Sequence, residues 1–185
     1  KYGLTPDALE IVLEPENSGT WKAERFGPAI KAATKRLASK GYDPQIIAPS
    51  TTLAKNAVPF FNAATRAGAK VDVIAYHSYD RPTDDVRREI WRQAKGAGAS
   101  TAMLEHLRAD VNEFYRDMTF ANVSSWQQWG MAHFKDDGKY LLVADLSKAK
   151  GKRVRLGTRT RMLAQVWRHA RIDDVRIGAA SADPA

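Results

Sequence analysis

The stretch IVLEPENS, residues 11–18, ends an apolar run abruptly at Glu14 and Pro15. Residues 8–13 are mainly apolar and partly β-branched, which predicts a strand that stops where two carboxylates begin. The same arrangement, a short apolar run followed by polar residues, recurs along the chain and alternates with longer segments of helical period. This alternation is typical of β/α units built around a parallel sheet.

The alternation predicts five strands with four intervening helices in the first part of the chain. A helix over 23–39, for example, follows from apolar residues spaced three or four apart and from Gly41 as a stop signal. The predicted strands are 8–13, 45–48, 71–76, 101–104 and 125–132, and the predicted helices are 23–39, 54–67, 83–97 and 110–121. We therefore expect an α/β fold here.

The pattern changes after residue 134. A turn over 136–138 precedes two apolar runs, 140–144 and 153–156, which predict an antiparallel ribbon around a loop rich in lysine and glycine. Residues 158–170 again have helical period. We therefore expect three parts in the chain: the β/α segment 1–134, the ribbon and last helix 135–172, and residues 173–185 as the start of an appended β-domain or a tail.

The composition excludes several classes of protein. The 185 residues include no cysteine, which rules out disulfides, thiol catalysis and cysteine-ligated metal sites. No apolar run approaches the roughly 18–20 residues that span a bilayer, and residues 1–20 lack a signal-peptide pattern, so a membrane role is not expected. The four histidines show no metal-ligand spacing. We expect neither a metal nor another cofactor.

Positive charge is concentrated toward the end of the chain. Lysine and arginine exceed aspartate and glutamate by 29 − 21 = 8, and residues 148–161 carry seven basic side chains and no acid. Such a stretch could attract a polyanion, which leaves a non-catalytic polyanion-binding module as an alternative function. It is also typical of a solvated edge hairpin that charge protects against aggregation. We favour the hairpin, so nucleic acid is not an expected partner.

Polar and aromatic side chains follow the predicted strands. Catalytic groups of β/α barrels come from the C-terminal ends of the strands, so these residues are expected to converge on one rim. In chain order they are Glu14, Glu16, Asn17, Ser50, Thr51, His77, Tyr79, Glu105, His106, Trp126 and Trp129. Two carboxylates suit glycoside cleavage, in which one carboxyl protonates the leaving oxygen and the other attacks or stabilises the anomeric carbon.

Several of these residues have a second interpretation. Glu16 follows the same strand as Glu14, so it is a second candidate for the acid. His77 could be a core histidine with satisfied polar atoms, and His106 is expected to be a surface neighbour. Trp126 and Trp129 lie three apart in one predicted strand and so face opposite sides. One of them is expected to line the pocket, and the other to belong to the core.

The order of these motifs resembles a known family. E-P at one strand end, H-x-Y two strands later, L-E at the next and W-x-x-W at the last are similar to the second half of a clan A glycoside hydrolase barrel. The closest resemblance is to glycoside hydrolase family 30. It implies a (β/α)8 TIM barrel, of which this chain covers about strands 4–8. Residues 161–181, RMLAQVWRHARIDDVRIGAAS, resemble the final helix and the strand that leads back into the family's β-sandwich.

The resemblance also implies roles for individual residues. Glu14 matches the general acid/base and Glu105 matches the nucleophile, which implies retaining chemistry by double displacement. His77 and Tyr79 match a pair in which the tyrosine hydrogen-bonds the nucleophile. Trp129 matches a tryptophan that lies beneath the substrate sugar.

One position departs from the family's pattern. The family usually has asparagine directly before the acid/base, where it contacts the sugar 2-hydroxyl, whereas this chain has Leu13. Asn17 is a candidate substitute for that contact. A barrel remnant that binds sugar without cleaving it is therefore a further alternative.

The expected function is that of a retaining β-glycosidase acting on an oligo- or polysaccharide outside the cell or in the periplasm. A lone half-barrel would expose sheet edges and an apolar face. We therefore expect the first three strands of the barrel to come from a missing N-terminal half, on the same chain or on another.

Overall fold

The structure is a computed structural model that describes residues 3–145, 147–149 and 153–178. The chain folds as two compact units, the first ending at Met131 and the second beginning at Ala132. Among the described residues, no helix combines the length and the apolar character needed to cross a membrane.

The first unit is built on a parallel five-stranded sheet. Its strands lie side by side in chain order, and every neighbouring pair is parallel. They are β1 (Ala8–Glu10), β2 (Gln45–Thr51), β3 (Val73–His77), β4 (Ser100–Glu105) and β5 (Ser125–Trp126). The helices are α1 (Ala23–Ala38), α2 (Ala57–Arg66), α3 (Asp84–Ala97) and α4 (Val111–Arg116), which continues as a π-helical turn over Asp117–Ala121. The sheet curls into a half-barrel, so the expected α/β class is confirmed.

The fifth predicted strand is wrong in length. The sequence predicts one strand over 125–132, but only its first two residues pair with β4, and Ala132–His133 belong to a sheet of the second unit. Gly130 lies between the two segments with a φ of 86°, in the left-handed region that favours glycine. Trp129 therefore lies in a loop, and strand alternation does not decide where its side chain points.

One face of the sheet carries the main core. Ile46, Ile74, Tyr76 and Met103 are at most 1% exposed and belong to the apolar clusters beneath the helices. Successive side chains of a strand point to opposite faces, so the alternate residues of these strands must lie on the other side.

The opposite face of the sheet is concave and only partly filled. Val73, Ala75 and Ala102 form a small apolar cluster there, with Ile47 packed against it. A recess of about 400 Å³ lies along this face. One carboxylate oxygen of Glu10, which lines the recess, is buried without a hydrogen-bond partner among the described residues. In a closed barrel this face would be the packed interior.

A buried carboxylate connects three elements of the first unit. Asp117 has no exposed surface and accepts hydrogen bonds from Tyr76 Oη at 2.9 Å, Arg87 Nε at 2.6 Å and Trp126 Nε1 at 3.0 Å. Burial raises the pKa of Asp117, and the Arg87 guanidinium acts in the opposite direction. Removing one partner of such a buried charge pair typically costs about 3–5 kcal/mol. The network therefore holds β3, α3 and β5 in one arrangement.

The packing of α1 against α2 depends on a glycine. A Cβ atom on Gly27 would lie 2.7 Å from Ala67 Cβ and 2.9 Å from Ala64 Cα. No larger residue fits at that distance without moving one of the helices. The close approach explains a glycine at a position where helix propensity alone disfavours it.

The second unit contains the ribbon expected from the sequence. Its elements are β6 (Ala132–His133), β7 (Leu142–Ala144), β8 (Val154–Leu156) and α5 (Thr158–Trp167). β7 pairs antiparallel with β8, and β6 pairs parallel with β7. Residues 171–178 contain neither helix nor strand. The appended β-domain over 173–185 stays a prediction, because 179–185 lie outside the described residues.

Alanine at two helical glycines of the first unit should change stability in opposite directions. Gly27→Ala forces α1 and α2 apart and should lower the free energy of unfolding by about 1–3 kcal/mol, as overpacking does. Gly96→Ala, in α3, places its Cβ in open space and should raise that free energy by about 0.5–1 kcal/mol. Urea unfolding followed by circular dichroism measures both. A Gly27→Ala variant as stable as the wild type would contradict the close helix packing.

Candidate active site

The C-terminal ends of β2, β3 and β4 meet at one edge of the sheet. The register of β3 and β4 sets His77 opposite Glu105, and the Ser78 N–H donates to the Glu105 carbonyl oxygen at 3.2 Å. A register shift precedes this pair, and another lies between Pro49 and Thr51 in β2. Irregular pairing of this kind is common next to active sites, where it re-aims side chains.

Glu14 is held at this edge in a strained backbone conformation. Strand β1 ends at Glu10 rather than at residue 13 as predicted, but the Glu14 N–H donates to the Ser50 carbonyl oxygen at 3.0 Å. Glu14 has φ 46° and ψ 59°, in the left-handed region, and a 3₁₀ turn over Pro15–Asn17 follows. This conformation costs a residue with a Cβ about 1–2 kcal/mol, so the surrounding contacts must hold it.

Both oxygen atoms of the Glu14 carboxyl have partners. Oε1 lies 2.8 Å from His77 Nδ1, and Oε2 accepts a hydrogen bond from Asn17 Nδ2 at 2.6 Å. His77 is only 1% exposed, and its Nε2 has no partner among the described residues. The histidine is thus buried and part of the cluster at the same time. The carboxyl of Glu14 is consequently fixed in orientation from both sides.

The Glu105 carboxylate is held by a tyrosine. Tyr79 Oη donates to Glu105 Oε1 at 2.8 Å, the same contact that the resemblance implies. Burial, followed by the hydrogen bond to Glu105, raises the pKa of Tyr79 well above its ordinary value. The hydroxyl therefore stays protonated, and remains a donor, through the neutral and moderately alkaline range.

The two carboxylates lie close together. One oxygen of Glu14, one nitrogen of His77 and one oxygen of Glu105 are all within 4.8 Å of one another. Carboxylates and imidazole are also metal ligands, so these three groups could hold a divalent cation. The expectation of a metal-free site stays a prediction.

Of the two carboxylates after β1, only Glu14 belongs to this cluster. Glu16 Oε1 accepts a hydrogen bond from the Leu53 backbone N–H at 3.1 Å. Glu16 Oε2 is buried without a partner in the described part of the chain. Glu16 thereby connects the turn after β1 to the segment after β2, which is a structural contact.

The prediction that His106 is a surface neighbour is wrong. His106 is 7% exposed, and its Nδ1 lies 2.6 and 2.7 Å from the two carboxylate oxygens of Glu113. The Tyr79 and His106 rings meet edge to face, with centroids 5.3 Å apart. Sequence reasoning missed Glu113 because it belongs to α4, whose direction the local pattern does not fix. Asp110, which caps α4 by accepting from the Glu113 N–H at 2.8 Å, was the available signal.

The two tryptophans near β5 have different environments. Trp126 packs against the core and donates to Asp117, so it is the core member of the pair. Trp129 is 50% exposed in the loop after β5, and Leu13 is 56% exposed directly before Glu14. Exposed apolar surface of this kind suits the flat face of a sugar ring.

Three arginines of the basic stretch are engaged within the second unit. Arg155 pairs with Asp136 at 2.8 Å, Arg159 donates to the Gly138 carbonyl oxygen at 2.7 and 2.9 Å, and Arg153 donates to the Lys148 carbonyl oxygen at 2.9 Å. These bonds favour a role in the ribbon itself. Lys150 and Lys152 lie outside the described residues, and polyanion binding stays a prediction.

Comparison with known proteins gives matches of structure only. No protein-family model and no curated protein matches the sequence. The catalytic domain of the GH30 xylanase C from Talaromyces cellulolyticus matches with a TM-score of 0.61 and 15% identity, over 84% of this chain and 39% of that one. A conserved exported protein from Bacteroides fragilis matches with a TM-score of 0.61 and 13% identity, over 84% and 44%. A GH39 β-xylosidase from Caulobacter crescentus matches with a TM-score of 0.53 and 16% identity, over 66% of this chain and 32% of that one.

These matches concern the fold. They confirm the resemblance to clan A glycoside hydrolases at that level. The chain spans 39% of the xylanase domain and 44% of the exported protein, which is less than half of either structure.

The strain at Glu14 can be measured with two variants that both lack the carboxylate. Glu14→Gly accepts the left-handed conformation, whereas Glu14→Ala keeps a Cβ in it. We expect the glycine variant to be more stable than the alanine variant by about 1 kcal/mol in urea unfolding. Since both variants lose the contacts to His77 and Asn17, the difference isolates the backbone. Equal stabilities would contradict the strained conformation.

Proposed function

We propose that this chain carries the two catalytic carboxylates of a retaining β-glycoside hydrolase that acts on an oligo- or polysaccharide. The observation that carries the proposal is the approach of Glu14 and Glu105, whose nearest ligand atoms lie within 4.8 Å. Retaining glycosidases have carboxyl groups about 5–5.5 Å apart, whereas inverting enzymes need about 6.5–9.5 Å to admit a water molecule. The short separation supports retention.

In the first step, Glu14 protonates the glycosidic oxygen while Glu105 attacks the anomeric carbon. The bond to the leaving sugar breaks, and a covalent glycosyl ester forms on Glu105. In the second step, Glu14 takes a proton from water as that water attacks the same carbon, the bond from this carbon to Glu105 breaks, and the sugar product is released. The configuration is inverted twice and so retained.

The contacts of Glu105 suit the role of a nucleophile. Tyr79 occupies Oε1, and Oε2 accepts no hydrogen bond from the described residues, so it is free to attack. A protonated hydroxyl beside the carboxylate fixes its orientation without adding a charge. His77 and Asn17 fix the orientation of the Glu14 carboxyl through their own contacts to it.

We assign substrate contacts to the groups at the rim of the site. Trp129 offers an exposed indole to a sugar ring, and Asn17 offers an amide beside the acid. Leu13 stands where the family usually has asparagine, so the contact to the 2-hydroxyl passes in this proposal to Asn17. The names of the matched xylanase and xylosidase suggest β-xylosides as the first substrates to test.

The proposal includes completion of the barrel. We assign the five strands to positions 4–8 of a (β/α)8 barrel and the second unit to the start of a β-sandwich. The half-filled concave face, with a Glu10 oxygen buried without a partner among the described residues, supports further strands that pair with the sheet edges and fill this face with their side chains. An exported protein among the structural matches supports a place outside the cell or in the periplasm.

Glu105→Gln should lower kcat by on the order of 10⁴-fold or more, because the amide cannot form the glycosyl ester. Sugar binding should remain measurable by calorimetry with a xylo-oligosaccharide. Hydrolysis of 4-nitrophenyl β-xyloside and of xylan measures the rate, in the protein with its barrel complete. Glu16→Gln is the matched control, because it keeps an oxygen for the Leu53 N–H and should retain activity. Unchanged turnover by Glu105→Gln would remove the assignment, and a wild type that binds sugar without cleaving it would favour the remnant alternative.

Glu14→Ala should behave as a glycosidase without its general acid. We expect a loss of about 10²–10⁴-fold on substrates with poor leaving groups and a much smaller loss on dinitrophenyl glycosides. Added azide should restore turnover and give a β-glycosyl azide, because it attacks the ester without needing a base. An equal loss on both kinds of substrate, without azide rescue, would contradict the role of Glu14.

Removal of metal ions should leave the activity unchanged, because the two carboxylates supply all the chemistry of the double displacement. Prolonged dialysis against EDTA, followed by assay of the same aryl glycoside, tests this. Activity that is lost and then restored by one divalent cation would point instead to a metal held by Glu14, His77 and Glu105.

A further inference from the structure

We propose that Glu113 and His106 are positioning residues that orient Tyr79 and, through its hydroxyl, the Glu105 carboxylate. This inference rests on the proposed glycosidase function. It assigns a role to two groups that the reaction steps above do not use.

The first contact in the series fixes the His106 ring. Both carboxylate oxygens of Glu113 lie within 2.7 Å of His106 Nδ1. A carboxylate only accepts hydrogen bonds, so Nδ1 carries the proton and donates it to Glu113. The bond is charge-assisted and therefore among the stronger ones. The ring can neither flip nor rotate without losing it.

The second contact transmits this fixed orientation to Tyr79. The Tyr79 ring meets the His106 ring at 75°, with centroids 5.3 Å apart, and meets the His77 ring at 73° and 6.3 Å. Tyr79 is 36% exposed, so burial alone does not immobilise it. The two histidine rings restrict the positions that the tyrosine ring can take. Its hydroxyl is thereby kept 2.8 Å from Glu105 Oε1.

The pair acts through Tyr79 rather than on the sugar. The side chains of His106 and Glu113 are only 8% and 13% exposed, so neither presents much surface to a substrate. Glu113 is itself fixed, because Asp110 caps the first turn of α4 through the Glu113 N–H. The orientation of Tyr79 is thus set from a helix end outside the strand ends that carry the reacting groups.

Loss of this positioning should lower kcat, because the attacking carboxylate must be held accurately in place. A displacement of about 1 Å in a reacting group can cost on the order of 10²-fold in rate. Loss of the His106 contact leaves the Tyr79–Glu105 hydrogen bond in place but looser. We therefore expect a partial loss, confined to kcat.

The test is a double-mutant cycle between Glu113 and Tyr79, assayed on 4-nitrophenyl β-xyloside in the protein with its barrel complete. Glu113→Ala should lower kcat by about 10-fold and leave KM within about twofold. In the Tyr79→Phe background, where the hydroxyl is already missing, the same substitution should cost less than about twofold. Glu113→Gln keeps an oxygen that accepts from His106 Nδ1 and should retain most of the wild-type kcat.

A matched control lies on the same helix. Arg116 in α4 pairs with Asp84 of α3 at 2.6 Å rather than with His106, so Arg116→Ala should leave kcat and KM unchanged. If Glu113→Ala costs the same factor with and without the Tyr79 hydroxyl, the residue acts on general folding and the inference is overturned. Equal losses for Glu113→Ala and Glu113→Gln would also overturn it.

A spectroscopic measurement separates this inference from the proposed function. The ¹³Cζ chemical shift of labelled Tyr79, assigned by loss of its signal in Tyr79→Phe, reports the hydrogen bond of the hydroxyl at neutral pH. Glu113→Ala should move the signal part of the way toward its position in Glu105→Ala, where the acceptor is gone, and Glu113→Gln should not. An unmoved signal would overturn the inference even if the wild type is an active glycosidase. A moved signal in an inactive wild type would support the contact series and reject only the function.

Discussion

The parallel pairing of β3 with β4 is the constraint on which the rest of the site depends. Parallel strands place all their carboxyl ends at one edge of a sheet, and the register sets His77 directly opposite Glu105. Glu14 joins them because its N–H bonds to the end of β2, although its own strand has already left the ladder. A shift of one residue in this register would turn the alternate side chains to the other face of the sheet. The network around Asp117 connects β3 to α3 and β5 on the helical side of the sheet.

The residues that stabilise the first unit and the residues of the candidate site lie in different parts of it. The face under the helices is mainly apolar, and the buried ion pair of Asp117 with Arg87 is completed by two further donors to Asp117, from Tyr76 and Trp126. The strand ends carry exceptions, among them a left-handed glutamate at position 14 and a buried nitrogen of His77 that has no partner in the described part of the chain. Strain and unsatisfied polar atoms cost free energy, and they persist only where the surrounding fold is stable enough to hold them. The occurrence of both features beside Glu105 supports the location of the site independently of the matched folds.

Two pairs of a histidine with a glutamate flank Tyr79 at this edge. His77 lies against Glu14, His106 lies against Glu113, and the tyrosine ring meets both imidazoles. In our proposal the first pair contains the acid/base and the second only positions its neighbour. In that proposal, one aromatic ring couples the orientation of the acid with that of the nucleophile. Ring packing as well as hydrogen bonds thus surrounds the two carboxylates.

The sequence by itself determined the alternation of strands and helices and the residues that follow each strand, because hydrophobic period and turn chemistry are local properties. It therefore indicated Glu14, His77, Tyr79 and Glu105, which the folded sheet brings to one edge. The tertiary structure gives Glu14 and Glu16 different surroundings although both follow the same strand, because it sets Glu14 beside His77 and bonds Glu16 to Leu53, a residue of a distant loop.

The tertiary structure also ended β5 at Trp126. It buried His106 against Glu113 of α4, the helix that follows β4 in the chain. Local patterns do not contain these facts, because each depends on where a partner from another element arrives in space. The sequence names the groups that can react. Packing between elements determines which of them meet, at what distance and in which orientation.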